Sequence, residues 1–559
     1  LYKLIKPVHG VNGSPISIAP GYPDLEDQFN EMGIPSIRAH DLYGPGDIDN
    51  GTHDDLETSQ YQLLLMVPED KKGHGRKVYA DLTNKRSIFP NARNGMKNNS
   101  FEEAVSQANY EPTDAYFRKI INNERNSNPY LKREVMCRIG RSLLGSANPP
   151  ENFQIYAMLA AELVKRYSVN YMNIGMKSPV RYYQIWNEPD LGGFFANSDP
   201  NVYYEFYGTV AREIKKVAPN VLVGGPSVAA GQEINSPYGR GFLQACKAKS
   251  YPLDFYSWHL YLHDKADPVQ VAASAKLNRS LLDVLGLNHV KSYITEWGMT
   301  PYTTHETQNK MQSAKNAAFI IQSLIFMVYR DVDKAFYYRA DGGTLGIFND
   351  ENRYTYPAQA FYLFNLMFET PYYISNIDIQ LENARYGYIE LEGRSESHSS
   401  PRRRKLLVST YLLDKNFLKE EYQSKKYRQY YLDTNRDVDN IQDQYSIDKW
   451  FGGKNPKNMY SKNIKKEINN NHGPNPSNPE YNRYSFSGHN AIIQDPREPR
   501  YATAYIITEG GQLDNIRPSP VVSENIKRYP VKTNIGISWK VVVENIPKDS
   551  VVLLDVEYS

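Results

Sequence analysis

Two glutamates stand where a chain could use them for acid–base chemistry. Tyr182-Tyr183-Gln184-Ile185-Trp186-Asn187-Glu188-Pro189-Asp190 reads as an apolar strand ending in Asn-Glu-Pro, and the proline, having no N–H, stops the ladder there. Tyr293-Ile294-Thr295-Glu296-Trp297-Gly298 repeats the pattern: an apolar strand, a carboxylate, an aromatic, then a glycine that frees the backbone to turn. Each segment alone has a plain explanation, because Asn, Pro and Asp are common turn formers and a glutamate before a turn can serve as a cap. As a pair they suit glycosidic bond cleavage with retention, which needs two carboxyls about 5–5.5 Å apart. One carboxyl must stay protonated for the leaving oxygen and the other ionised to attack the anomeric carbon. Their environments must therefore pull the two pKa values apart.

Other polar groups cluster at strand ends. Ile37-Arg38-Ala39-His40-Asp41 brings Arg38 and His40, Trp258-His259-Leu260-Tyr261 brings His259 and Tyr261, and Phe336-Tyr337-Tyr338-Arg339-Ala340-Asp341 brings Tyr338 and Arg339. Each has a structural alternative. Arg38 could be an ion-pair partner, His40 and His259 buried structural histidines, and Tyr261 core packing. Arg339 could bind a carboxylate or hydroxyl of a sugar, but pairing with Asp341 is the preferred reading. His40, His259 and His263 form no recognisable ligand set with the carboxylates, so no metal is predicted, and no cofactor.

These groups need elements to hold them. Eight β-rich runs alternate with helical segments: Pro7–Asn12, Ser36–Asp41, Lys77–Leu82, Tyr182–Pro189, Val221–Gly224, Asp254–Tyr261, Ser292–Gly298 and Ala335–Ala340. Helical periodicity follows Pro149-Pro150 (Ile155, Met158, Leu159, Leu163) and recurs at Tyr203, Phe206, Tyr207, Val210, Ile214 and Val217, then over Met311–Arg330 and Ala358–Phe368. Eight such units predict an α/β fold, a closed (β/α)8 barrel, with Glu188 and Glu296 ending the fourth and seventh strands. Barrel enzymes place their catalytic groups at these carboxyl-terminal strand ends. The stretch from Asn84 to Pro150 is long for one unit and is expected to hold a loop and helix over one barrel end.

After Pro371 the pattern changes. Tyr386–Glu392, Lys405–Leu413, Tyr501–Thr508, Trp539–Asn545 and Val551–Val556 read as strands with no helices between them, predicting a β-sandwich. The expected division is a barrel over 1–372 and a sandwich over 373–559, with a polar insertion around 416–500. A chain of 559 residues exceeds the roughly 250–300 at which one core stops growing.

Composition narrows the function classes. The formal net charge of +2 sets up no field that would draw nucleic acid or an acidic membrane, and no run of about 18 apolar residues predicts a membrane span. The 45 tyrosines offer flat apolar faces with a hydroxyl at the edge, which suits sugars, although frequent Asn and Lys point equally to a general compositional bias. Two cysteines, Cys137 and Cys246, make no disulfide framework and match no zinc spacing. Two free buried thiols are expected, with one bridge as the alternative. The sequence opens at Leu1 without a signal peptide, and an upstream segment is expected to have been removed.

Trp-Asn-Glu-Pro at 186–189 and Thr-Glu-Trp-Gly at 295–298 resemble the acid/base and nucleophile motifs of the clan A glycoside hydrolases. Within that clan the chain resembles glycoside hydrolase family 39, through Gly10-Val11-Asn12-Gly13, Ile37–Asp41 and Phe89-Pro90-Asn91 as well. The resemblance covers roughly residues 7–372. It implies Glu188 as acid/base, Glu296 as nucleophile and Asn187 as the partner of a sugar 2-hydroxyl. It also implies Arg38 beside the nucleophile, His40 on a glycon hydroxyl, and Tyr261 on the nucleophile or ring oxygen. His259, Trp297, Tyr338 and Arg339 complete the expected substrate contacts. Many clan members end the eighth strand with a tryptophan platform; here that strand reads Phe336-Tyr337-Tyr338-Arg339-Ala340-Asp341, so the platform is absent or is a tyrosine. The Gly44-Pro45-Gly46-Asp47 turn is closer to the exopolysaccharide-acting branch than to a typical xylosidase. The expected partner is a polysaccharide or oligosaccharide, and the expected location extracellular or periplasmic, because polymers lie outside cells. The competing readings are an inactive glycan-binding barrel and an unrelated lyase or aldolase. The latter would need a Schiff-base lysine or a metal cluster at the strand ends, and neither is seen in the sequence.

Overall fold

The computed structural model describes residues 1–13, 25–40, 45–49, 87–123, 133–141, 147–229, 237–262, 268–300, 309–330, 332–340, 345–349, 351–384, 387–411 and 489–559. Eight parallel strands close into a barrel: Gly10–Asn12, Ser36–Ala39, Glu134–Arg141, Tyr182–Ile185, Leu222–Val228, Phe255–Tyr261, Lys291–Gly298 and Lys334–Tyr337. The ring closes where the first strand pairs with both the second and the eighth. A short strand, Asp47–Asp49, lies parallel to the end of the third.

The third strand corrects the sequence reading. Lys77–Leu82 lies outside the described residues, and Glu134–Arg141 fills the third position, pairing with the second strand and the fourth. The sequence reading places this segment inside the long Asn84–Pro150 excursion, and three of its residues, Glu134, Arg138 and Arg141, are charged. Arg138 and Arg141 are buried nonetheless, since each meets a carboxylate: Arg138 Nη2 lies 2.9 Å from Asp47, and Arg141 Nε and Nη2 each lie 2.8 Å from Asp49. Buried charges are tolerated when paired in this way. The same stretch supplies the helices Ala92–Lys97, Phe101–Val105 and Glu111–Ile121.

The barrel helices follow their sequence signals. Asn152 caps Phe153–Val164 by accepting from the Ile155 N–H, and the helix buries Ile155, Tyr156, Leu159 and Leu163. Asp199 caps Pro200–Val217, which buries Tyr203, Phe206, Tyr207, Val210 and Ile214. Each full burial of a large apolar side chain stabilises by about 1.5–3 kcal/mol. Helix Ala314–Tyr329 is buried on every side. It lies between the barrel and the sandwich, where the Ser409 hydroxyl donates to the Ala318 carbonyl at 2.7 Å.

The remaining strands form two antiparallel sheets. Tyr2–Leu4, Tyr372–Ile374, Ile389–Arg394, Arg403–Ser409, Val551–Tyr558, Pro499–Ile507 and Ser519–Pro520 make one; His489–Asp495, Gly536–Ile546 and Ile526–Thr533 make the other. Leu406, Val408, Val552 and Leu554 from the first share a core with Ala491, Ile493, Val541 and Val543 from the second, the interdigitation expected of stacked sheets. Part of the predicted polar insertion is therefore ordered sandwich, since 489–495 is a strand and 499–507 begins the next. Its alternating burial shows why a polar-looking segment belongs there: every second residue of His489–Asp495 faces out. Residues 416–488 lie outside the described ones. Cys137 and Cys246 are both buried and unbridged. Among the described residues no helix is long and apolar enough to cross a membrane.

Candidate active site

The fourth and seventh strands deliver Glu188 and Glu296 to one barrel mouth. One carboxylate oxygen of each, together with a ring nitrogen of His259, lies within 4.8 Å of the others. Glu188 follows the end of its strand with φ 44°, and Trp186, two residues earlier, has φ 69°. A left-handed conformation at such residues costs on the order of 1–3 kcal/mol and persists where neighbours over-determine it. Here the Trp186 N–H donates to the Ile139 carbonyl at 2.7 Å, and the Glu188 N–H to the Ser227 carbonyl at 3.0 Å.

Glu296 is held on both oxygens. Arg38 Nη1 donates to Oε1 at 2.7 Å and the Tyr261 hydroxyl to Oε2 at 2.7 Å. His40 Nε2 lies 3.3 Å from Oε1. Arg38 is completely buried and spends the rest of its fork on Asn12 Oδ1 (2.7 Å), Asn187 Oδ1 (2.7 Å) and Gln184 Oε1 (2.8 Å). Asn12 in turn donates to the Thr295 and Phe336 carbonyls at 2.9 and 3.0 Å, tying the first strand to the seventh and eighth. Asn187, with Oδ1 committed to Arg38, has its NH2 edge to present to a ligand.

The two carboxyls are pushed in opposite directions. Burial raises Glu188 above its ordinary range; the negative charge of Glu296 adds to this, while the hydrogen bond with His259 opposes it. That bond spans 2.7 Å between His259 Nδ1 and Glu188 Oε1. Burial also acts upward on Glu296, but His259, His40 and the Arg38 guanidinium together outweigh it and hold that carboxyl well below the usual range. Burial and the Glu296 charge raise the Tyr261 phenol far above its ordinary value, so it remains a donor. The two acidities are thus driven apart, Glu188 upward and Glu296 downward.

Glu188, His259 and Glu296 also have the donor types of a metal site. The local charge argues for proton transfer instead: Glu296 already faces a guanidinium at hydrogen-bond distance, and a dication beside it would be repelled.

Residues 143–338 match the sequence profile of Glycosyl hydrolases family 39. Over that segment the chain is similar to this family. The segment holds Asn187, Glu188, His259, Tyr261 and Glu296. A β-xylosidase of Geobacillus stearothermophilus is 25% identical over 200 residues, covering 32% of this chain and 37% of that protein. A β-xylosidase of Caldicellulosiruptor saccharolyticus is 29% identical over 195 residues, covering 33% and 38%. The chain thus spans 37% and 38% of the length of these curated relatives. Among solved structures, a glucosidase from Croceicoccus marinus superposes with a TM-score of 0.62 at 19% identity, over 100% of this chain and 97% of that one. The GH39 enzyme from Xanthomonas axonopodis pv. citri does so with a TM-score of 0.54 at 14% identity, over 100% and 95%. At such identity these structures share the fold.

Within the site the other expected contacts divide. Tyr338 sets its ring edge-on to Tyr261, centroids 6.5 Å apart, and so lies beside the hydrogen-bond donor of Glu296. Arg339 is buried at the same strand end; its expected partner Asp341 lies outside the described residues, as does His263. Trp297 corrects the sequence reading. It is 1% exposed and packs edge-on against Tyr337 at 5.0 Å, because alternation along a strand sends it away from the face that Glu296 occupies. Its ring is part of the barrel core. The sequence reading gave no part to Arg138, Gln184 or Asn12. Gln184 stands two residues before Trp186 on a strand otherwise apolar, and a polar residue at an inward position was the available signal.

Proposed function

We propose that this protein is a retaining glycoside hydrolase acting on an oligosaccharide or polysaccharide, with Glu188 as acid/base and Glu296 as nucleophile. The observation that carries the reading is the close pair of carboxyls, Glu296 buried and Glu188 partly exposed, with oppositely shifted acidities. In the first step a Glu296 oxygen forms a bond to the anomeric carbon as the glycosidic C–O bond breaks, and Glu188 gives its proton to the departing oxygen. In the second, Glu188 takes a proton from water, whose oxygen replaces Glu296 at the same carbon. Asn187 donates to the 2-hydroxyl. Arg38 and Tyr261 keep Glu296 ionised and aimed until its charge is consumed. An inactive glycan-binding barrel would have no need to retain both carboxyls in this arrangement.

Because two curated relatives bear the name β-xylosidase, a β-xyloside is the first substrate to offer. Tyr338 in place of a tryptophan and the Gly44–Asp47 turn favour a second class, bacterial exopolysaccharides. Gly46 weakens the turn as a substrate marker, since a Cβ there would lie 2.0 Å from the Arg138 carbonyl oxygen and packing alone demands glycine. A polymeric substrate places the enzyme outside the cell or in the periplasm. The test is hydrolysis of aryl β-xylosides and of a polysaccharide panel, with proton NMR of the first anomer released. Glu188→Gln and Glu296→Gln should each lower turnover by several orders of magnitude, and azide should rescue Glu296→Gly to yield a glycosyl azide of inverted configuration. Unchanged turnover in either glutamine variant refutes the assignment.

A further inference from the structure

We propose that Arg138 is a positioning residue that fixes the tautomer of His40, so that His40 offers Glu296 a proton and not a lone pair. Arg138 Nε donates to His40 Nδ1 at 2.9 Å. A guanidinium carries only donors, so His40 Nδ1 is the acceptor and the ring proton sits on Nε2. That nitrogen is the one 3.3 Å from Glu296 Oε1. The opposite tautomer would set a nitrogen lone pair against a carboxylate oxygen and leave two N–H groups opposed at Nδ1.

The surroundings hold Arg138 in place for this task. Its Nη2 pairs with Asp47 at 2.9 Å and its Nη1 donates to the Arg141 carbonyl at 3.1 Å. Arg138 is 3% and Asp47 1% exposed. Two glycines clear its path: a Cβ at Gly140 would lie 2.2 Å from Arg138 Nη1, and one at Gly46 would meet the Arg138 carbonyl. The short strand Asp47–Asp49 and the third barrel strand thus act on Glu296 through His40 without touching it. A hydrogen bond on the second nitrogen commonly sets which nitrogen of a histidine carries the proton.

The inference deepens the glycosidase reading, but its decisive measurement does not depend on activity. In the full chain labelled with 15N-histidine, the His40 signals, assigned by their loss in His40→Gln, should show a protonated Nε2 and a bare Nδ1 at neutral pH. A protonated Nδ1 in the wild-type protein overturns the proposal. The double variant Arg138→Met/Asp47→Asn removes the donor without stranding a buried carboxylate. It should give a mixture of His40 tautomers and a kcat lowered about tenfold, the effect of losing one such hydrogen bond, with KM changed less. Arg138→Gln, which keeps an N–H donor, should restore much of both. A double variant that retains the Nε2–H tautomer and full kcat refutes the proposal. If the wild-type chain cleaves no glycoside, the proposed function fails while the tautomer result still decides this point.

Discussion

Replacing Glu296 by glutamine should make Glu188 a stronger acid. The substitution keeps shape and removes one negative charge, whose nearest oxygen lies within 4.8 Å of a Glu188 oxygen. Two unit charges at that distance repel by about 3.5 kcal/mol at an effective dielectric of about 20. Each charge is spread over two oxygens, so an effective separation of about 5.5 Å and about 3 kcal/mol is the better figure. The sign is fixed: an ionised Glu296 disfavours ionisation of Glu188, and a neutral neighbour relieves this. Arg38, no longer neutralised, pulls the same way. The shift does not return Glu188 to its ordinary range, because burial, the larger cause of its rise, is untouched. The assay is a carboxyl 13C titration of glutamate-labelled protein, with the Glu188 signal identified by its loss in Glu188→Gln. A midpoint that stays put or moves up in Glu296→Gln would show that the two groups are not electrostatically coupled, and the acid/base division argued from this geometry would fall.

Tyr261→Phe deletes one hydrogen bond to the ionised form of Glu296 without opening a cavity. A bond to a charged group is worth about 1.5–3 kcal/mol, so kcat/KM should fall roughly ten- to hundredfold, and the acid limb of its pH profile should move up. An unmoved limb and an unchanged rate would deny Tyr261 this part. Gly46→Ala places a Cβ 2.0 Å from a backbone oxygen and should lower thermal stability by about 1–3 kcal/mol, as overpacking does; an unchanged melting curve would contradict the packing. Burial pushes the Cys137 thiol up to about 12 and raises that of Cys246 further. Neither thiol should react with a disulfide reagent in the native protein, and both should react in denaturant.

The sequence alone determined the parts that depend on local pattern. Strand-then-carboxylate motifs at Glu188 and Glu296, helical periodicity from Ile155 to Leu163 and from Tyr203 to Val217, and late strands with no helices between them each involve residues near one another in the chain. Their physics is read within a few residues. Tertiary structure decided what depends on partners far away. Glu134–Arg141 could be recognised as a barrel strand only once Asp47 and Asp49 were seen to neutralise its arginines. Trp297 and Glu296 are neighbours in sequence, yet pleating sends one to the core and the other to the site. The state of Glu296 rests on Arg38, 258 residues away, because a buried carboxylate keeps its charge only where distant strands bring a cation and donors to it.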